Sequence, residues 1–131
     1  MLMQTPLDAL GRTAEGKSAL RRGFHVVEKH LELNPDDTRA LTLGAAALAS
    51  LGQPERAIEW ASRALTMDPT DSGVLYNVAC TYAISGLKDE ALDRLELAIE
   101  NGFGHREWLD HDETLNSVRD DARFQALRKR L

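Results

Sequence analysis

Apolar and small residues recur along the chain with a period of 34 positions. Shifted by that distance against itself, the middle third of the sequence aligns without a gap. Within each copy the apolar positions follow the spacing of two amphipathic helices. The pattern therefore predicts an all-α chain built from repeated helix pairs. The matched pairs are Leu41 and Leu75, Ala45 and Ala79, Leu48 and Tyr82, Gly52 and Gly86, Ala57 and Ala91, Ile58 and Leu92, Ala61 and Leu95, Ala64 and Ala98, and Leu65 and Ile99.

Residues that start and stop helices stand at the predicted boundaries. The carboxylate of Asp37 can accept the free N–H groups of a helix that begins at Thr38. Gly52 suits the left-handed turn that ends this helix, and Pro54 suits the first position of the next one. Pro69 then separates this copy from the following one.

Small residues mark the places where the two helices of a copy cross. Ala45 and Ala57, and likewise Ala79 and Ala91, fall where a larger side chain would push the helices apart. We therefore expect all four to be buried.

This period and residue order resemble the tetratricopeptide repeat. In that family the first helix (helix A) carries large apolar residues around a small pair, and the second (helix B) carries alanines around a bulky residue. Residues 38–71 and 72–105 are identified as two such repeats, the second with Phe103 in place of the terminal proline. The resemblance implies a right-handed superhelical stack of helix pairs. Gly44 departs from the pattern, because a larger apolar residue is usual there, and we expect looser packing around it.

Residues 4–37 resemble a third, degenerate repeat, in which Gly23 and His30 replace the usual alanines. We expect His30 to be partly buried there. Leu7, Leu10 and Gly11 match helix A; Phe24, Val27 and Leu31 match helix B; and Pro35 closes the copy.

The last part of the chain, residues 106–131, breaks the period and is here called the capping segment. Its apolar positions predict a final helix through Phe124, Leu127 and Leu131, capped by Asp120 or Asp121. A solenoid needs such a cap, because its last repeat has no neighbour to cover its apolar side. The segment is similar to tails that follow these repeats in bacterial multidomain signalling proteins, such as nucleotide cyclases and serine/threonine kinases. Residues 1–131 are thus interpreted as a single domain.

Composition and charge narrow the function. The net charge is −5 and no part of the chain is strongly basic, so we expect no nucleic-acid partner. The longest apolar run, residues 45–49, is too short to span a bilayer, and no signal-peptide pattern is present. The single cysteine, Cys80, excludes an internal disulfide. A cytoplasmic location is the expectation.

Few residues suggest catalytic or metal chemistry. His105, Asp110, His111 and Asp112 could together hold a divalent metal, but their spacing matches no ligand motif. We interpret them as a polar connector in which Asp112 or a neighbour caps a turn. No histidine is spaced to act as a base for Cys80. The prediction is a protein without enzymatic activity, metal or cofactor.

The two tryptophans are interpreted as core residues, because isolated aromatic side chains mostly pack. Trp60 is expected at the edge of a repeat, and Trp108 is expected to anchor the capping segment onto the last repeat.

The resemblance implies a concave groove formed by the A helices, which could seat an extended peptide or one helix of a partner protein. Arg39 and Tyr76 are residue types that often dominate binding energy. With so few repeats, the interface should bury at most about 1,200 Å² and the association should be transient. By register, the groove residues are Arg39, Thr42, Ala46, Ala49, Ser50, Gly73, Tyr76, Asn77, Cys80, Ala83 and Ile84.

Two alternatives stay open. The exposed end of the stack could associate with a second copy, so that the domain dimerises a larger signalling protein. A small metal protein or enzyme using residues 105–112 ranks last. Some family members bind a carboxylate at the end of a chaperone chain, but Thr42 and Ala46 replace the residues that such a clamp uses.

Overall fold

Helices account for most of residues 6–131, the part of the chain that the computed structural model describes, with side chains described from residue 16. No β-strand occurs in this part, so the all-α prediction is confirmed. The elements are α1 (Pro6–Leu33), α2 (Thr38–Ser50), α3 (Pro54–Met67), α4 (Ser72–Ile84), α5 (Lys88–Glu100), α6 (Arg106–His111), a 3₁₀ turn (Glu113–Leu115) and α7 (Ala122–Lys129).

The two predicted repeats form the centre of the molecule. Helices α2 and α3 make one packed pair, α4 and α5 make the next, and α4 also packs along α2. The crossing residues Ala45, Ala57, Ala79 and Ala91 are all buried, as expected from their small size. The chain is therefore a helical-repeat solenoid, in which each pair covers the apolar side of its neighbour.

The boundaries of these helices follow the predicted signals. The Asp37 carboxylate accepts the backbone N–H of Ala40 at 3.1 Å, and Asp71 repeats this cap on α4. Gly52 ends α2 with φ of 81°, in the left-handed region where a side chain would be strained. Pro54 then begins α3.

The first repeat differs from its prediction, because residues 6–33 form one continuous helix rather than a helix pair. The physical reason lies at Ser18, which stands 34 positions before Gly52 and cannot easily adopt the left-handed turn. Leu20 likewise replaces the helix-starting Pro54. The helix therefore continues through the place of the predicted turn. Residues 4 and 5, the side chains of Leu7 and Leu10, and the surroundings of Gly11 lie outside the described part.

His30 also departs from its prediction, because it is exposed rather than partly buried. Its Nε2 atom lies 2.7 Å from a carboxylate oxygen of Asp37. Since Asp37 also caps α2, this contact ties the end of α1 to the start of the next helix. The hydrogen bonds from Ala40 and His30 hold the pKa of Asp37 below its usual value.

The predicted looseness at Gly44 is wrong, because the Trp60 ring fills the space. A Cβ atom placed on Gly44 would lie 2.3 Å from Cζ3 of Trp60, far inside van der Waals contact. Trp60 packs against both clusters of buried residues and lies 5.2 Å, centroid to centroid, from Phe24. Trp60 is thus partly buried and packs against the core at the edge of its repeat, as predicted.

The capping segment closes the far end of the stack. Its helix α7 packs against α5, and the 3₁₀ turn packs against α4. The predicted final helix is confirmed, with Asp121 as its cap, although it ends at Lys129 and Leu131 lies beyond it. The apolar residues that this segment buries are Leu109, Leu115, Val118, Phe124 and Leu127.

Among residues 6–131, no helix combines the length and apolar composition that crossing a bilayer requires.

Candidate partner-binding groove

The capping segment covers part of the surface that the sequence predicts to be an open groove. The Tyr76 hydroxyl donates a hydrogen bond to Asp112 Oδ2 at 2.6 Å, and the Cys80 thiol lies 3.6 Å from the same oxygen. The Ser117 hydroxyl donates to the backbone carbonyl of Ala83 at 2.9 Å. Tyr76, Cys80 and Ala83 are consequently buried, and their prediction as open groove residues is wrong.

Asp112 is held in place by its own turn. The backbone N–H and the hydroxyl of Thr114 both donate to Asp112 Oδ1, at 3.0 and 2.6 Å. This arrangement caps the 3₁₀ turn and confirms the predicted capping role. The Arg119 guanidinium donates to the carbonyls of Leu109 and Asp112, at 2.6 and 2.8 Å, and so holds the two sides of the connector together.

Burial and hydrogen bonding act in opposite directions on the pKa of Asp112. Burial would raise that pKa, but the hydrogen bonds from Thr114 and Tyr76 outweigh it and keep the value below the usual one. For the Cys80 thiol, burial is the largest effect and raises the pKa to about 12. Burial also raises the pKa of Tyr76 well above its ordinary value. Both side chains are therefore neutral donors to one ionised carboxylate near pH 7.

Aromatic side chains form the rim of this covered region. The rings of Tyr76 and Phe103 stack with their centroids 4.5 Å apart, and Trp108 packs obliquely on both. His105 stacks on Trp108 at 4.4 Å. Trp108 thus contacts the last repeat as predicted, but 47% of its side-chain surface stays exposed, so it is a wall residue rather than a core residue.

An open pocket of about 440 Å³ remains beside Trp108, between α2, α4 and α6. Four of the eleven predicted groove residues line it, namely Arg39, Thr42, Gly73 and Asn77. We call this pocket the groove site. Its complete lining is Thr38, Arg39, Thr42, Leu43, Asp71, Gly73, Val74, Asn77 and Trp108.

The walls of the groove site combine apolar surface with oriented polar groups. Leu43 and Trp108 provide the exposed apolar surface, whereas Val74 and Thr42, which also line the pocket, are buried. The Asn77 amide lies 3.4 Å from the Thr42 hydroxyl, which itself donates to a backbone carbonyl of its own helix. A few fixed polar groups on an apolar wall are the usual composition of a ligand pocket.

The other predicted groove residues lie outside the groove site. Ala49 is buried in the smaller core cluster, and Ile84 packs against that cluster. Ala46 is half-buried and Ser50 is exposed. The register therefore placed these residues on the A helices correctly, but did not show which of them a partner could reach.

Five residues that line the groove site were not predicted from the sequence, namely Thr38, Leu43, Asp71, Val74 and Trp108. Leu43 was not among the predicted groove residues, although its repeat equivalent was. It would have been found by comparison with Asn77, its equivalent in the next repeat. Trp108 lies in the capping segment, whose return to α4 leaves no periodic signal in the sequence.

The residues weighed as metal ligands are dispersed among other contacts. Asp110 pairs with the Arg128 guanidinium, which lowers the pKa of Asp110, while Asp112 faces Tyr76 and Cys80. Within the part of the chain that the structure describes, no three potential metal ligands come together.

One comparison with known protein families bears on this geometry. Residues 39–71 match the family model of the tetratricopeptide repeat. The matched range runs from the start of α2 to the residue that caps α4, which is one complete helix pair with its connection. It supports the tetratricopeptide-repeat assignment that the period of the sequence suggested. A search of curated proteins found no match to the chain.

We expect the Asp112→Asn variant to lose about 1–3 kcal/mol of unfolding free energy at pH 7, since the charged acceptor of Tyr76 is lost. The pKa of Asp112 lies below its usual 3.8 in the folded chain. Its contribution is therefore complete above that pH and is lost as the pH falls through the lower folded-state pKa. Urea unfolding of wild type and variant, repeated from pH 7 to pH 2.5, should show the difference narrowing below about pH 4.

Asp120→Asn is the matched control for this prediction. Asp120 is an exposed carboxylate of the same segment, and its replacement should change stability by less than about 0.5 kcal/mol. Two outcomes would contradict the role given to Asp112. One is an equal loss of unfolding free energy in the Asp112→Asn and Asp120→Asn variants. The other is a difference in unfolding free energy between wild type and Asp112→Asn that does not change with pH.

Proposed function

We propose that the chain is a non-catalytic protein-interaction module that binds a segment of a partner protein in the groove site. The supporting observation is the open pocket between α2, α4 and α6, with apolar walls and oriented polar groups. The tetratricopeptide-repeat match supports a protein as the class of ligand. Cys80, the one candidate nucleophile on this surface, is buried against Asp112 with a raised thiol pKa, which favours a structural role for it.

The shape and chemistry of the groove site favour a short peptide or one turn of a helix. One apolar side chain of the partner would lie between the exposed side chains of Leu43 and Trp108. Asn77 and Arg39 would then pair with polar groups of the partner backbone or side chains. The open surface is smaller than the predicted groove, since the capping segment covers Tyr76 and Cys80. We therefore expect weak binding, with a Kd in the range of about 1 μM to 1 mM.

Selection from a random peptide library against the full chain, followed by calorimetry of the selected peptides, tests this proposal. Trp108→Ala should weaken binding at least about tenfold, because a half-exposed aromatic wall is a typical anchor. Asn77→Ala should act in the same direction. Ser50→Ala is the control, since Ser50 belongs to the predicted groove but lies outside the groove site. Peptides that bind the Trp108 variant as tightly as wild type would contradict the proposal.

The wider setting is also proposed. From the resemblance that the sequence of the capping segment suggests, we propose that the module belongs to a cytoplasmic, bacterial signalling protein. In such a protein the groove site would recruit a partner to the signalling complex.

Self-association is a second candidate function. Val26 is 70% exposed and Leu43 is 55% exposed, both at the α1–α2 end of the stack. Large apolar side chains that stay exposed together mark a surface that another protein surface can cover.

A further inference from the structure

The α1–α2 end of the stack leaves an apolar surface uncovered. Val26, Val27, Ala40 and Leu43 surround a depression of about 270 Å³, whose polar rim is formed by His30, Asp37 and Arg39. We call this surface the end face. Only Arg39 and Leu43 are shared with the groove site, so the two surfaces can be tested separately.

The 34-residue register shows which element covers the same surface in a complete repeat. Leu43 is equivalent to Asn77, and the Asn77 amide lies against Thr42 on the preceding helix A. Val26 is equivalent to Trp60, which packs on Gly44 of the helix A in its own repeat. Both exposed residues therefore occupy positions that contact a helix A. The element that the end face lacks is a helix A.

The sequence contains a segment in the register of that helix. Residues 6–17 stand 34 positions before residues 40–51, so that Leu10 is equivalent to Gly44. In the next repeat, Gly44 lies opposite Trp60. The equivalent residues in the first copy are Leu10 and Val26. The larger residue of the pair is thus on helix B in the next repeat and on helix A in the first copy. The combined side-chain volume of the two residues is roughly conserved, which packed cores tolerate well.

The continuous helix α1 prevents this segment from covering its own end face. A helix of 28 residues is about 42 Å long, and its second half already packs along α2. Helix α2 has 13 residues and is about 20 Å long, so a straight α1 that packs along it extends beyond its end. The segment and the surface it matches thus belong to one sequence but cannot meet within one molecule.

We propose that the first half of α1, residues 6–17, covers the end face of a second copy, and that the exchange is mutual. Each copy then provides the helix A that the other lacks, in a closed dimer with twofold symmetry. This arrangement specifies the second candidate function, self-association, and does not depend on peptide binding in the groove site.

Analytical ultracentrifugation of the full chain over a range of concentrations tests the exchange. We expect a reversible dimer. Val26→Glu should weaken dimerisation about a hundredfold, because the substituted contact occurs twice in a symmetric dimer and each buried apolar contact is worth about tenfold. Leu33→Glu is the matched control and should leave the dimer unchanged, since Leu33 is on the same helix, 86% exposed, and outside the end face.

A second variant tests whether the dimer depends on the exchange of α1. Ser18→Gly combined with Leu20→Pro copies the Gly52 and Pro54 turn into α1, so that residues 6–17 can fold back on their own chain. This variant should be a monomer with unchanged helix content by circular dichroism. A monomeric wild type, or a dimer that survives either Val26→Glu or the double substitution, would overturn the proposal. Peptide binding is scored separately, because Val26→Glu leaves the groove site intact and Trp108→Ala leaves the end face intact.

Discussion

Replacing Phe124 with alanine should lower the free energy of unfolding by about 3–5 kcal/mol, the usual cost of removing a fully buried aromatic ring. Phe124 has no exposed surface and belongs to the main core cluster, where α7 packs on α5. The Arg119 guanidinium also lies over its ring, 5.7 Å from the centroid. The substitution therefore removes the main apolar anchor of α7.

Urea unfolding followed by circular dichroism measures this loss. Lys129→Ala is the control, because Lys129 is exposed on the same helix and its loss should cost less than about 0.5 kcal/mol. If the two variants were equally stable, the capping segment would not be packed on the stack as described.

Replacing Gly44 with leucine should lower the free energy of unfolding by about 2–3 kcal/mol, although leucine is the better helix former. The first added carbon already lies 2.3 Å from the Trp60 ring, so the rigid indole must move away from both core clusters. Leucine resembles the large residue that is usual at this position of the repeat. The expected loss is therefore specific to a chain that has Trp60 opposite Gly44.

A double-mutant cycle with Trp60→Ala separates this explanation from a general cost of mutation. Trp60→Ala alone leaves a cavity, and adding Gly44→Leu should refill part of it. The coupling between the two substitutions, measured by urea unfolding, should be favourable by about 2–3 kcal/mol. Additive effects would show that Trp60 does not occupy the space beside Gly44.

Local and periodic signals predicted the central repeats well. Caps such as Asp37 and turns such as Gly52 act within a few residues, and the crossing alanines are fixed by the period. The residues that determine these caps, turns and helix crossings are all close in sequence or related by the repeat period, so they can be recognised from the sequence alone. The positions of α2 through α5 therefore follow from the sequence alone.

The features that were missed depend on one residue or on distant contacts. The continuous α1 follows from Ser18 and Leu20, which stand where the next repeat has the turn glycine and the helix-starting proline, and the apolar pattern did not show this effect. The filled space at Gly44 depends on Trp60, which lies on another helix. The covering of Tyr76 depends on Asp112, which is 36 residues away and belongs to no repeat. No spacing rule connects such pairs.

These distant contacts change the functional interpretation. The concave surface is divided into a part that the capping segment closes and a part that stays open beside Trp108. The chain thus fills one portion of the predicted groove, and the groove site is the smaller open part in which we propose that a partner binds. A partner that needs the whole length of α4 would have to displace Asp112 from Tyr76 and Cys80.

The reactivity of Cys80, the only cysteine in the chain, tests this division most directly. We expect the native protein to react with an aromatic disulfide reagent at pH 8 at least about a thousandfold more slowly than the urea-unfolded chain, because the thiol is reached only when the capping segment opens. A native rate close to that of the unfolded chain would show that Cys80 faces solvent in an open groove, and would contradict the account.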